Sequence, residues 1–236
     1  PVPRQVAAPP AAVAPAPAIA VESESLRSAF QKHGVEVRDI RVALDAGGKR
    51  WLGIRVSGKD AVDTWEQLRA VTERTGFYPL LFHDEHGLVE DILAAEEGQS
   101  SRVLSSADSI RPEAWLKERL EDLQHDGEEE RPLPRSDWPA TAAPNTIYTV
   151  PTKITSGKYL DELWCLLLPT MSPAEVFALL GYGNWNAYPS AEEHVAIHRR
   201  WLEMYGAEIV GLTGDVIEMR VGRPPKSREE AIALAM

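Results

Sequence analysis

Two histidines stand four apart in the run Glu193-His194-Val195-Ala196-Ile197-His198. On a helix that spacing turns both imidazoles to one side, as in zinc enzymes that hold their metal with two helical histidines. The general-base glutamate of the HExxH arrangement is missing, because Val195 follows His194, and no third ligand can be named. The structural alternative makes His194 a neighbour of the Trp201 stripe and His198 a surface residue on a charged helix. A second set, Glu208, Asp215 and Glu218-Met219-Arg220, has the residue types of a nuclease in which carboxylates hold Mg²⁺ and a cation polarises water or phosphate. Strand alternation puts Glu218 and Arg220 on one face. Arg220 stands where such sites use lysine, however, and Asp215 is suited to turning a hairpin. The alternative there is a cross-strand glutamate–arginine pair.

The third set is the loop Gly181-Tyr182-Gly183-Asn184-Trp185-Asn186-Ala187-Tyr188-Pro189. Asn184, Trp185, Asn186 and Tyr188 combine rigid aromatic area with adaptable amides, a composition suited to contact sites. The structural alternative is a lid over the core. Cys165 lies in the apolar run Leu163 to Leu168 with no charged neighbour to lower its pKa, so it reads as a buried thiol rather than a nucleophile.

These residues need elements to place them. Ser190 with Glu193 forms a capping-box pattern, Ile197, Trp201, Met204 and Tyr205 recur at helical spacing, and Gly206 supplies a stop. Ala207 to Leu212 and Val216 to Val221 then flank the turn Thr213-Gly214-Asp215, a hairpin pattern. Upstream, Ser23 or Ser25 starts a helix to Lys32, and Val35 to Leu44 and Trp51 to Val56 make a first hairpin. Asp60 caps a helix with the stripe Val62, Trp65, Leu68 and Val71 or Thr72, stopped at Gly76 before the strand Phe77 to Phe82. Leu88 to Ala95 and Pro112 to about Leu123 are further helices. Thr146 to Val150 and Glu162 to Leu168 are strands. Ser172-Pro173-Ala174-Glu175 is a second capping box opening a helix to Leu180, and Ser227 with Glu230 opens the last helix.

The motifs GNWNAYP, HVAIHRRWLEMYGAEIVGLTGDVIEMRV and the following Arg223-Pro224-Pro225 resemble the bacterial family called domain of unknown function 4253. Trp65 to Arg69 and Thr75 to Leu81 are similar to the amino-terminal part of such proteins. Two departures stand out: members carry Cys-Pro where this chain has Tyr188-Pro189, and they continue past the last helix with a Tyr-Cys-Pro-type segment. The resemblance implies no activity.

The expected fold is α+β, with mixed, mainly antiparallel hairpins covered by helices. Residues 1–21, nearly all proline, alanine and valine, read as a disordered tail. Residues 22–125 form an amino-terminal α+β region. The acidic run Asp126 to Glu130 and the four prolines of Arg131 to Pro144 mark 126–145 as a linker, and 146–236 form a carboxy-terminal domain whose short last helix implies truncation. A chain of 236 residues with 44% hydrophobic content can bury one sizeable core or two small ones. Its net charge of −11 argues against sequence-independent hold on nucleic acid, which depends on lysine and arginine, and favours a protein partner with a basic surface. No apolar run reaches the roughly 20 residues of a membrane-spanning helix. One cysteine excludes an internal disulfide and points to the cytoplasm. No cofactor is implied. The expectation is a non-catalytic interaction module, with a metal-dependent hydrolase or nuclease as the alternative.

Overall fold

The computed structural model describes residues 17–46, 49–83, 99–125, 148–153, 155–184 and 188–235. Six strands make one sheet: β1 Arg41–Ala46, β2 Lys49–Val56, β3 Tyr78–Phe82, β4 Leu163–Leu168, β5 Ala207–Leu212 and β6 Ile217–Val221. Their order is β1-β2-β4-β3-β5-β6. Every neighbouring pair is antiparallel except β3 and β5, so the sheet is mixed and mainly antiparallel, as expected.

Burial explains the order. All five residues of β3 are buried, and β4 keeps only Trp164 partly accessible, whereas β6 is half-exposed along its length. Strands apolar on both faces belong in the middle of a sheet, where helices or loops cover both sides. Leu166 accordingly pairs with Gly53 of β2 on one side and with Leu80 of β3 on the other. A strand that follows segment 126–145 therefore lies between two strands that precede it, and the two regions share one sheet. Segment 126–145 itself lies outside the described residues.

The helices are α1 Pro17–Lys32, α2 Ala61–Arg69, α3 Thr72–Thr75, α4 Gln99–Ala107, α5 Pro112–His125, α6 Val176–Leu180, α7 Ala191–Tyr205 and α8 Arg228–Ala235. In α2 the expected stripe forms: Trp65, Leu68 and Val71 just beyond its end are buried, and the Trp65 indole donates to the Pro79 carbonyl at 2.9 Å. That bond satisfies the one polar atom of a ring buried against the sheet. Phe30, Trp65, Leu80, Leu166, Phe177 and Val195 belong to a single core cluster.

Several local expectations are corrected. Helix α1 starts at Pro17, ahead of Ser23 and Ser25, because proline fits the first helical turn, where its missing N–H is no loss. The described chain is therefore helical from Pro17, and residues 1–16 of the expected tail lie outside it. Residues 35–40 stay out of the first hairpin: Asp39 has φ 51°, which a strand does not accommodate. Asp60 precedes α2 but makes no side-chain cap, since its carboxylate accepts from the Ser57 hydroxyl at 2.6 Å. Ser172 likewise makes none. Glu175 is drawn to the Thr170 hydroxyl at 2.6 Å, and residues Pro173–Glu175 form a 3₁₀ turn before α6. The expected strand from 146 to 150 is a turn over its described residues, with Thr152 N–H donating to the Thr149 carbonyl at 2.8 Å. The expected helix from 88 to 95 lies outside the described residues. No helix among those described is long and apolar enough to cross a membrane.

Candidate functional site

Helix α7 begins at the capping box expected of it. Glu193 N–H donates to the Ser190 hydroxyl oxygen at 3.3 Å, and Ser190 N–H donates back to the Glu193 carboxylate at 2.7 Å. Trp115 of α5 also donates to that carboxylate, at 2.6 Å. Burial pushes the Glu193 carboxyl up, but these bonds outweigh it and hold it below its usual range. The helix ends at Gly206, in the left-handed conformation at φ 60°.

Its inward face is only in part the one the apolar periodicity indicates: Ile197 is buried, but the rest of the stripe is not. Met204 is 41% exposed and Trp201 and Tyr205 are only half-buried, while His194 and His198 are each 4% exposed. His198 is thus a core residue, not a surface one. The face that packs runs through Ala191, His194, Val195 and His198, a helical spacing in which imidazoles take the place of aliphatic groups. Phe177 of α6 sets that rotation. Its ring stacks on His194 at 4.8 Å between centroids and leans on His198 at 4.4 Å. Trp201 meets His198 edge-on at 5.0 Å, and Tyr182 and Tyr188 lie 5.5 and 6.5 Å from His194. His198 Nδ1–H donates to the His194 carbonyl at 2.8 Å, while Nε2 of both rings is buried with no hydrogen-bond partner among the described residues. Burial lowers both pKa values to about 4, so both rings are neutral at pH 7.

The carboxylates of the second set face groups that occupy them. Glu208 on β5 pairs in register with Arg220 on β6. Arg220 donates to Oε2 at 2.5 Å and Arg69 of α2 donates to Oε1, so both oxygens carry a guanidinium. Arg220 also lies 3.7 Å from Glu66 and 4.8 Å over the Trp65 ring. Glu218 accepts from Thr149 N–H at 2.5 Å, from the Thr149 hydroxyl at 2.6 Å and from Val150 N–H at 2.8 Å. It fastens a turn to the sheet. Asp215 exchanges bonds with the Thr213 side chain and shapes the hairpin turn.

In the third set, Trp185 and Asn186 lie outside the described residues. The neck of their loop is described. Asn184 N–H donates to the Pro189 carbonyl at 3.1 Å, and Asn184 is exposed with φ 68°. Gly183 has φ 129°, and a Cβ there would collide with the Pro189 carbonyl oxygen. Tyr182 donates to the Thr213 carbonyl at 3.2 Å and Tyr188 to the Asp215 carbonyl. Two tyrosines thus tie the neck to the β5–β6 turn.

The model of a family described as Domain of unknown function (DUF4253) matches residues 165–236. This carboxy-terminal segment belongs to that family. No curated protein and no solved structure gives a match. The DUF4253 segment starts inside β4 and contains the imidazole pair, Glu208, Glu218, Arg220 and the loop. The groups that occupy Glu208 and Glu218 come in part from outside it, from Arg69 and from Thr149 and Val150.

Among the described residues no three or more histidine, cysteine, aspartate or glutamate side chains gather to hold a metal. Cys165 is buried, and burial pushes its thiol up to about 12, opposite to what a nucleophile needs. Sequence reasoning missed Arg69 and Phe177. Arg69 sits 139 residues from Glu208, beyond any local pattern, and Phe177 looks like any other apolar residue of a short helix.

Proposed function

We infer that this chain is a non-catalytic protein-interaction module of the bacterial cytoplasm, and that it meets its partner through the loop at Asn184–Tyr188 together with the Thr213–Asp215 turn. The observation that carries this reading is the tie between them. Tyr188 joins the loop to the turn, beside an exposed Asn184 in a backbone conformation that non-glycine residues seldom adopt. A loop whose neck is tied at both ends suits recognition, since that tie lowers the ordering cost of binding. The net charge of −11 favours a partner with a basic surface, which it would steer at long range.

The occupied carboxylates support the non-catalytic half of the reading. Recruiting Glu208 or Glu218 to Mg²⁺ means breaking two ion pairs or freeing a turn. The test is affinity capture from the native cytosol with the full chain, run beside Asn184→Ala, Trp185→Ala and Asn186→Ala chains that keep their melting temperature. A basic protein captured by the wild type and lost from these variants supports the reading; capture that ignores all three removes the loop from it. A thermal-shift response to Mg²⁺, Mn²⁺ or Zn²⁺ that disappears in Glu218→Gln or His194→Ala would establish the metal-dependent hydrolase instead.

A further inference from the structure

His198 Nδ1–H is committed to the His194 carbonyl, so in the neutral ring Nε2 is an unprotonated lone pair. That backbone bond is the outer contact by which metal-binding histidines are oriented. The lone pair is buried and faces no donor among the described residues, and Nε2 of His194 is in the same condition. A buried polar atom without a partner calls for an occupant.

The separation of the two rings is one that two imidazoles sharing an ion would have. The rings lie four residues apart on the same face of α7, with centroids 5.8 Å apart. An ion bonded to two imidazole nitrogens at about 2.0–2.1 Å sets the ring centres roughly 5–6.5 Å apart. Both rings are held in place by Phe177 and Trp201, which saves the ordering entropy of a looser site.

We propose that His194 and His198 bind a monovalent, closed-shell d¹⁰ metal ion, Cu(I) or its redox-inert counterpart Ag(I), through their two Nε2 atoms. The surroundings select that class. Zn²⁺ takes three or four ligands, which the described residues do not assemble. A d¹⁰ monovalent ion accepts two neutral nitrogens in a linear or bent arrangement.

The test uses the full chain under anaerobic conditions, titrated with Ag(I) and, in competition with a chromophoric Cu(I) chelator, with Cu(I). The expected result is one ion per chain, a raised melting temperature and an X-ray absorption first shell of nitrogen alone. His198→Gln and His194→Gln each lower the affinity by about 10–100-fold or more. Sulfur in the first shell would assign the ion to Cys165 or a methionine and overturn the proposal. So would failure to hold the ion against the chelator, unchanged affinity in folded His198→Gln, or tighter binding of Zn²⁺ than of Cu(I). Should the variants not fold, the stoichiometry and first shell of the wild type still decide.

Discussion

The Tyr188 hydroxyl donates to the backbone carbonyl of Asp215, 27 residues away, and so binds the loop after α6 to the turn of the terminal hairpin. Removing that hydroxyl with Tyr188→Phe costs about 0.5–1.5 kcal/mol of stability, the net worth of one such bond. Partner capture falls by more than the change in the urea midpoint accounts for, because the neck of the loop loses its tie to the turn. Capture that tracks stability alone would count against the coupling.

Gly183→Ala acts on the same neck from the backbone side. A φ of 129° and the nearby Pro189 carbonyl leave no room for a methyl group. The substitution costs on the order of 1–3 kcal/mol, read from urea unfolding. A neutral result would mean the neck rearranges freely.

Glu208→Ala leaves the guanidiniums of Arg69 and Arg220 without their shared acceptor. The expected loss is about 2–3 kcal/mol, less than the ~3–5 of a fully buried pair, because Arg220 keeps 39% of its side chain in solvent and its place over Trp65. Glu218→Ala costs about 1–3 kcal/mol by orphaning the Thr149 and Val150 N–H groups. Chemical denaturation of both variants, alone and combined, checks these values.

His194 and His198 make the metal-free protein acid-sensitive. Their pKa values, about 4 in the fold, stand near 6.5 in the unfolded chain, so between those limits the unfolded chain binds more protons. Stability is complete above pH 6.5 and falls as the pH drops toward 4, by at most on the order of 3 kcal/mol per ring. Glu193 is held below its usual carboxylate range and contributes its own loss at the acid end of that window or beneath it. Denaturant midpoints between pH 4.5 and 7.5 should show the slope in the wild type and a shallower one in His198→Gln.

Cys165, fully buried in β4 with its thiol pushed up to about 12, should resist iodoacetamide at pH 8 in the native protein and react promptly in denaturant. Prompt labelling without denaturant would place the thiol at the surface.

Much of the carboxy-terminal architecture was legible because its signals are short-range. Ser190 and Glu193 meet within one helical turn, Gly206 closes the same helix by its own φ, and Thr213 to Asp215 turn the chain with their own side chains. Where two local options compete, the sequence pattern misleads. Glu175 bonds Thr170 instead of closing a box with Ser172, and Asp60 bonds Ser57 instead of capping α2.

The amino-acid sequence alone determined that a capped helix, a glycine stop and a β-hairpin follow one another from Ser190 to Val221, and that Trp65 turns inward from its own helix. Tertiary structure decided that β4 enters between β2 and β3, that α7 packs its imidazoles rather than Met204 and Tyr205, and that Arg69 reaches Glu208. The reason is physical. Caps and turns are settled by atoms a few residues apart, whereas strand order and helix rotation follow from how the whole chain best buries its apolar surface, and residues with no sequence relation become neighbours only then.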